Sequence, residues 1–368
     1  MRILIAPDRF YPTMKALAVA EAMARGLQRV SPDLELLMYP LSGGGAGTTD
    51  LAVRFGRGRV RHETLISPYK TTREVKWAML ADGTAMFDAR DALGSPDGPN
   101  PLRHTYHDSS FLGLMIRALV KYRPSQIVVA LGDVLAADGG QGLLKAFGVA
   151  PLDDKGDVLA QGIRPLLRVD DVRFDDMALP PIPIVALTDE MVTWNDRVQR
   201  DDFRLDLIYG GLLDASGRLG DLLAEHIAVP LRAMPGTGVG GGLGLALAFL
   251  GAQFRLGADY LSEMASLREM LWQVDWVMTG SHTLGDRSLS GVVGRVAQLA
   301  RDAGIPAVAL TTELQADYPL LYEAGLIGIY PVLDRPRSLK ETHRTLAALI
   351  EKAAWRTGMW VQALSDIP

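Results

Sequence analysis

The sequence contains no cysteine in its 368 residues. That absence excludes disulfide bonds, thiolate nucleophiles and cysteine-ligated metal sites, and it fits a reducing compartment. No stretch of about 18 uninterrupted apolar residues occurs, so no transmembrane helix and no membrane partner are predicted. The apolar N-terminal run, residues 1–8, is too short for a signal peptide and predicts a buried first strand. These features predict a cytoplasmic protein.

A basic block or stripe is also missing. Lysine and arginine together number 38 against 43 aspartate and glutamate residues, which gives a formal net charge of −5 and disfavours a nucleic-acid partner. The motifs G-x-S-x-G and H-E-x-x-H are absent, which argues against the hydrolases that depend on them. The hydrophobic fraction of 48% is typical of a globular protein with a large core, and the length favours two domains.

Four glycine-rich turns are the most informative feature that is present. Each lies where a predicted strand should lead into a helix. Glycine lets the backbone approach an anion closely, and a following helix points its N–H groups at that anion. The turns therefore predict a site for a phosphorylated ligand. They are PLSGGGAGTTD (40–50), VVALGDVLAADGGQG (128–142), PGTGVGGGLG (235–244) and VMTGSHTLGD (277–286).

The two ends of the chain share one pattern of alternating strands and helices. Five strands that alternate with helices predict an α/β fold with a flavodoxin-like doubly wound parallel sheet. Residues 1–60 and 250–368 are therefore predicted to form one discontinuous domain. The predicted strands are 2–8, 35–41, 275–280, 306–312 and 327–333, and the predicted helices are 14–29, 288–304, 318–325 and 338–364.

The middle of the chain has a different pattern and predicts a second, inserted mixed α/β domain at 61–249. Alternating residues on either side of Asp82-Gly83 predict an antiparallel hairpin. A helix near 108–122 and strands at 126–132 and 182–189 follow. The cleft between the two domains is the predicted active site.

Carboxylates at predicted strand ends are the candidate catalytic groups, because open α/β sheets bind ligands at the carboxyl ends of their strands. Asp189 is the candidate general base or Mg²⁺ ligand, and a helix cap or a solvated loop acid is the alternative. Asp138 is either a catalytic carboxylate or the N-cap of the following helix. Asp8 ends the first strand and is the third candidate.

Cations, a histidine and the turn residues are the candidate phosphate and substrate contacts. Arg9 and Lys15 would hold a phosphate or carboxylate, or they are ordinary surface charges. His282 is a candidate base or phosphate contact, or a solvated histidine. The turn glycines cradle an anion, or they serve only turn geometry and tight packing. The full set is Arg9, Lys15, Gly44, Gly45, Thr48, Asp133, Gly139, Gly140, Gly238, Gly241, Gly280, Ser281, His282 and Asp286.

Six motifs, read in order, resemble the two-domain glycerate kinase family of bacteria. APDRFYPTMKALAVAEAMARGL (6–27) is similar to the family's opening APDSFKGSLSA motif, and NPLRHTYHDSSFLGLMIRAL (100–119) is similar to its N-P-x-x-T-x-S pattern. The four glycine-rich turns match the family's glycine motifs in the same order. The resemblance spans nearly the whole chain. It implies a flavodoxin-like domain, a second α/β domain and an active site between them.

The resemblance also implies an activity and its ligands. The expected reaction is the ATP-dependent phosphorylation of glycerate or a related small hydroxy acid, with ATP and Mg²⁺ as cofactors. The hydroxy acid and the nucleotide are the expected small-molecule partners, and a homodimer is a further expectation.

Several polar positions of the family motifs are substituted in this chain. Phosphoryl transfer depends on positioned charges, so these substitutions support an alternative: a catalytically degenerate relative that binds a ligand or a partner protein on the same scaffold. Asp133, His282 and Asp286 lie within one or two positions of lost groups and are candidate substitutes. The substituting residues are Tyr11, Pro12, Gly43, Ala46, Val134, Ala136, Ala137, Val192, Ser281, Gly285 and Val292.

Overall fold

The structure, a computed structural model, divides the chain into two compact units. Residues 1–43 and 257–368 form the first unit, and residues 44–256 form the second. The domain limits near residues 60 and 250, and the cleft between domains, stay predictions. The structure describes residues 1–10, 14–67, 70–94, 108–132, 134, 138–160, 162–199 and 207–365.

Strands and helices alternate through most of the described chain. The strands are β1 (Arg2–Ile5), β2 (Glu35–Met38), β3 (Arg59–Ile66), β4 (Thr72–Met79), β5 (Thr84–Asp88), β6 (Gln126–Ala130), β7 (Ala150–Leu152), β8 (Asp171–Arg173), β9 (Ile184–Thr188), β10 (Gln253–Leu256), β11 (Trp276–Leu284), β12 (Ala307–Leu314) and β13 (Leu326–Pro331). The helices are α1 (Ala16–Gln28), α2 (Thr48–Phe55), α3 (Ala89–Leu93), α4 (Ser110–Val120), α5 (Gln141–Lys145), α6 (Ile163–Leu166), α7 (Trp194–Gln199), α8 (Leu207–Ile227), α9 (Leu243–Phe249), α10 (Gly257–Met264), α11 (Leu267–Leu271), α12 (Val292–Ala303), α13 (Leu320–Ala324) and α14 (Leu339–Ser365). Short 3-10 turns cover Leu231–Ala233, Gly240–Gly242 and Asp286–Leu289. Among the described helices, none combines the length and apolar character needed to cross a membrane.

The first unit is built on a five-stranded sheet in the order β13-β12-β11-β1-β2, and all its neighbouring strands are parallel. Numbered along this unit alone, the order is 2-1-3-4-5, which is that of a flavodoxin-like doubly wound fold. The predicted flavodoxin-like sheet is therefore confirmed. The chain passes from β1 to one edge and from β11 to the other, so the topological switch point lies between β1 and β11.

Helices α1 and α14 pack against each other over one face of this sheet. Ile3 and Ile5 of β1 belong to this layer, together with Met278 of β11. Alternate residues of a strand point to opposite faces. Leu4 and Val277, on the opposite face, are also fully buried. Both faces of the sheet are therefore covered, which explains why the strands are almost continuously apolar.

We expect Gly26→Ala to lower the free energy of unfolding by about 1 to 3 kcal/mol, because the added methyl group would force α1 and α14 apart. A Cβ at Gly26 would lie within 2.8 Å of the Ala354 Cβ and still closer to the carbonyl oxygen of Glu351. Urea denaturation followed by circular dichroism measures the change. Gly211→Ala in α8 is the matched control, since its methyl group would meet a Leu167 side-chain carbon at 3.2 Å. A loss no larger than that of the control would contradict the packing argument.

The second unit contains a six-stranded mixed sheet in the order β10-β9-β6-β5-β4-β3. Strands β10, β9, β6 and β5 are parallel, whereas β5, β4 and β3 are antiparallel. The turn at Asp82-Gly83 joins β4 to β5, with Gly83 at φ +86° and the Thr84 N–H donating to Asp82 at 2.9 Å. The predicted hairpin and the second, mixed α/β region are confirmed.

The fourth glycine-rich segment is not a turn. Strand β11 continues to Leu284, so Gly280, Ser281 and His282 lie within the strand. The sequence-based interpretation, which ended this strand at Gly280, is wrong because β12 continues alongside and keeps β11 paired to its end. Gly280 serves close strand packing instead, since a Cβ there would lie 2.5 Å from the Leu310 carbonyl oxygen.

The third glycine-rich turn, 235–244, follows a 3-10 turn and not a strand. It does lead into a helix, because α9 begins at Leu243 directly after Gly242 in the left-handed conformation. Glycines in this conformation also precede α2 and α5, at Gly47 and Gly140. Three of the four segments are therefore true helix-start turns.

Candidate functional site

In the second unit, residues 44–50 of the first glycine-rich turn lie on the ends of two parallel strands. A Cβ at Gly44 would come within 3.1 Å of the Leu187 carbonyl group near the end of β9. Just beyond β6, a Cβ at Gly132 would come within 2.7 Å of the Gly45 backbone. The Gly132 N–H donates to the Gly44 carbonyl at 2.8 Å. The turn thus occupies the edge of the sheet where open α/β folds bind ligands.

Asp88, the last residue of β5, holds the start of α2. Its carboxylate accepts the N–H groups of Gly47 at 2.7 Å and Thr49 at 2.9 Å, and the Thr49 hydroxyl at 2.7 Å. Asp88 is 3% exposed, and burial raises its pKa. Thr48 is fully buried, and its hydroxyl donates to the Gly45 carbonyl. Donors at the start of α2 are therefore satisfied by a carboxylate of the chain itself.

Asp138 is fully buried between the starts of α4 and α5. It accepts the Ser109 N–H and hydroxyl at 2.9 Å each, the Gly142 N–H at 3.0 Å and the Gly140 N–H at 3.1 Å. Burial, with repulsion from Asp108, raises the pKa of Asp138 to about 6, although the bonds from Ser109 and Gly142 act in the opposite direction. The capping role that the sequence left open therefore has its hydrogen bonds in the structure.

The third glycine-rich turn packs closely against the second turn and against the segment that follows β9. A Cβ at Gly242 would lie 2.6 Å from Gly139 Cα. The N–H groups of Gly236 and Gly238 both donate to the Val192 carbonyl, each at 3.0 Å. The tight-packing interpretation of these glycines is thus supported by direct backbone contacts.

Asp189 is an exposed carboxylate at the same edge of the sheet. It directly follows β9, two residues after Leu187, which the first glycine-rich turn contacts through Gly44. Its neighbour Glu190 pairs with Arg197 at 3.1 Å. The exposure of Asp189 contrasts with the complete burial of Asp138, so Asp189 is the one of these two candidate carboxylates that a ligand can reach.

In the first unit, candidate residues meet where the chain leaves β1 and runs beside β11. The Asp8 N–H donates to the Gly280 carbonyl at 2.8 Å, and the Asp8 carboxylate accepts the Arg9 N–H at 2.7 Å. The Thr279 hydroxyl donates to the Ala6 carbonyl at 2.7 Å and ties the same strands together. Asp8 and Arg9 therefore lie at the topological switch point, where doubly wound sheets bind ligands.

His282 is a half-buried histidine that β12 holds in place. Its Nδ1 lies 2.7 Å from the Thr312 hydroxyl, and its carbonyl accepts the hydroxyls of Thr311 at 2.9 Å and Thr312 at 2.6 Å. Burial lowers the pKa of His282; nearby Glu313 raises it and His343 lowers it further. The imidazole is therefore favoured in its neutral form at neutral pH.

The remaining sequence candidates are spread over both units. Lys15 and Asp286 are exposed at the starts of α1 and a 3-10 turn, and Ser281 is partly exposed. Gly241 has a left-handed φ of 64°. Asp133 lies outside the described residues. Within the described ranges, no group of three or more histidine, aspartate or glutamate side chains is placed to hold a metal ion.

Sequence reasoning missed Asp88 and Ser109. A usable signal existed for Asp88, because it ends a predicted strand in the same way as Asp189. Ser109 carried no comparable signal, since its contact with Asp138 joins residues 29 positions apart.

Comparisons with known proteins agree over most of the chain. The model of the glycerate kinase family matches residues 3–190 and 212–362. A glycerate kinase of Halalkalibacterium halodurans is 27% identical, with 96% of each chain covered. The glycerate 2-kinase of Escherichia coli K12 is 25% identical over 94% of this chain and 93% of its own. A solved structure assigned as glycerate kinase 2, from Salmonella typhimurium LT2, has a TM-score of 0.77 at 24% identity, with 100% of both chains covered, and supports the fold.

Proposed function

This chain belongs to the glycerate kinase family, and on that premise we propose that it transfers the γ-phosphoryl group of ATP to glycerate or a related small hydroxy acid. The observation that carries the proposal is the contact of the first glycine-rich turn with the ends of β6 and β9, next to the exposed Asp189. A glycine backbone and a reachable carboxylate at the carboxyl edge of a parallel sheet suit phosphate binding and proton removal.

The proposed step uses Asp189 as the proton acceptor. The hydroxyl oxygen of the acid attacks the γ-phosphorus, its proton passes to the Asp189 carboxylate, and the bond to ADP breaks. Asp138 is not assigned this role, because it is fully buried and already bonded to four donors. Arg9, at the switch point of the first unit, is the proposed cation for the substrate carboxylate, with Lys15 as the second candidate.

Mg²⁺ is the second proposed cofactor. Mg²⁺ in such sites is held by one or two carboxylates together with substrate phosphates, and the exposed Asp189 meets that requirement. When bound, the ion neutralises negative charge on the phosphate oxygens. A proton-acceptor role and a metal-ligand role of Asp189 predict different dependences of the rate on the Mg²⁺ concentration.

Formation of ADP from Mg·ATP and glycerate by the purified protein tests the proposal. A coupled spectrophotometric assay gives the rate, and calorimetric titration with Mg·ATP gives binding independently of turnover. Turnover that depends on both substrates is expected. Absence of both turnover and Mg·ATP binding would eliminate the kinase.

A ligand-binding relative without turnover is the second candidate. The observation that favours it is that donors at the starts of α2 and α5 are occupied by Asp88 and Asp138, and so are not available to a phosphate. Nucleotide binding without ADP formation would support this candidate over the kinase. The cytoplasmic location and the homodimer stay predictions.

A further inference from the structure

We propose that Asp88 is a positioning residue of the site, which fixes the first glycine-rich turn on the ends of β6 and β9, and that the start of α2 binds no phosphate. The inference rests on the proposed function in one respect: it assumes that this edge of the sheet binds the substrates. Asp88 is not among the site residues that the sequence predicts.

The first step of the argument is the position of the turn. The N-terminal part of the turn contacts Leu187 through Gly44 and Gly132 through Gly45, and a Cβ at Gly44 or Gly132 would be too close to these neighbours. The C-terminal part of the turn leads into α2, which begins at Thr48. Glycine is conformationally permissive, so a turn of this composition needs partners to hold a single conformation.

The second step is that Asp88 supplies those partners. Both carboxylate oxygens are used: one accepts the Gly47 N–H, and the other accepts the N–H and hydroxyl of Thr49. Asp88 itself is fixed, because β5 pairs with β6 up to Asp88 opposite Ala130. Asp88 thus anchors the turn to the same sheet on which the turn lies.

The third step concerns charge. An N–H group that already donates to a buried carboxylate is not available to an anionic ligand, and a second anion beside that carboxylate would be repelled. Asp50, in the first turn of α2, adds a second carboxylate at this helix start, and it already pairs with Lys76 at 2.7 Å. A phosphate at this edge is therefore expected to contact the turn before Gly47, or another segment, and not the first turn of α2.

Asp88→Asn tests the proposal. The amide has the shape of the carboxylate, but its NH₂ group cannot accept a hydrogen bond from the N–H of Gly47 or Thr49. We expect KM for at least one substrate to rise about tenfold or more while kcat changes less, since small misplacements of a binding backbone are costly. Hydrogen exchange should accelerate in residues 44–52. Unchanged exchange in that segment would overturn the positioning role, whatever the kinetics show.

Asp153→Asn is the matched control. Asp153 is also a buried aspartate of the second unit, and it accepts the N–H groups of Lys155 and Asp157 at 3.1 Å each. Its loss should accelerate exchange locally and leave both kinetic constants unchanged. Equal KM values in wild type and Asp88→Asn, together with accelerated exchange in residues 44–52, would show that the turn does not contribute to substrate binding.

A wild type without turnover would instead count against the proposed kinase. The exchange experiment then still decides whether Asp88 holds the turn. A shift in Mg·ATP affinity between wild type and Asp88→Asn, measured by calorimetry, decides whether the turn belongs to a binding site. The two proposals can therefore fail separately.

Discussion

Asp189→Asn is expected to reduce kcat for glycerate phosphorylation about 10³-fold, because general base catalysis contributes roughly 10²- to 10⁴-fold. The amide has nearly the same shape as the carboxylate but cannot accept the hydroxyl proton. Asp189 is exposed after β9, so the loss should be catalytic and not one of stability. Steady-state rates at saturating glycerate and Mg·ATP measure the effect.

Asp196→Asn is the control for this experiment. Asp196 lies seven positions along the same segment, on α7, and its carboxylate accepts the Thr193 hydroxyl at 2.7 Å. We assign it no role in the reaction, so its rate should stay within about twofold of wild type, as is usual for surface substitutions. A rate for Asp189→Asn as high as that of the control would show that another group removes the proton.

The metal-ligand role of Asp189 has a different signature. If the carboxylate binds Mg²⁺, the Mg²⁺ concentration that gives half the maximal rate should rise in Asp189→Asn, and high Mg²⁺ should restore part of the rate. If the carboxylate accepts the proton, added Mg²⁺ should leave the defect unchanged. A titration of the rate with Mg²⁺ at fixed ATP separates the two roles.

The sheet of the first unit could be predicted because its information is local. Each βα pair near the chain ends shows an apolar run followed by a helical pattern, and right-handed crossovers leave few ways to order such strands. The 2-1-3-4-5 order that the structure shows is one of these. The hairpin at Asp82-Gly83 could be predicted for the same reason, because a short turn that contains Asp-Gly is specified by its own residues.

The extent of β11 could not be predicted in the same way. Gly280 favours a turn when only its neighbours in sequence are considered. In the structure, β11 stays paired with β12 as far as Leu284 opposite Leu314. Whether a strand ends is decided here by a partner about 30 residues away, and glycine serves the close approach of that partner.

The candidate site shows the same division between local and distant information. The turn glycines and Asp189 were visible as strand-end features. The bonds of Asp88 to Gly47 and of Asp138 to Ser109 join residues 41 and 29 positions apart, and no local pattern reveals them. The bonds of Asp138 to Gly140 and Gly142 are local and agree with the N-cap alternative that the sequence offered. These two carboxylates cap the starts of α2 and α5. The N–H groups that the glycine-rich turns were predicted to offer to a phosphate therefore already bond to the chain itself.

Asp138→Ala is expected to lower the free energy of unfolding by about 2 to 4 kcal/mol at pH 7, because four buried donor bonds lose their acceptor. Urea denaturation measures the change. Ser109→Ala is the matched control: it removes the hydroxyl that donates to Asp138 and accepts the Leu143 N–H at 2.8 Å, and should cost about half as much. Equal losses in both variants would mean that the hydroxyl, and not the carboxylate, organises the two helix starts.

The pH dependence of the stability of Asp138→Ala tests whether burial and repulsion from Asp108, which raise the pKa of Asp138, outweigh the hydrogen bonds that lower it. Its pKa is raised to about 6 in the folded protein, above the usual value of about 4 in an unfolded chain. A raised pKa means that the stabilising contribution is fully present below about pH 4 and is lost as the pH rises through about 6. The difference in free energy of unfolding between wild type and Asp138→Ala should therefore shrink by about 2 kcal/mol from pH 4 to pH 7. A difference that instead grows with pH would mean that the four donors outweigh burial and repulsion from Asp108, and that the carboxylate is held ionised.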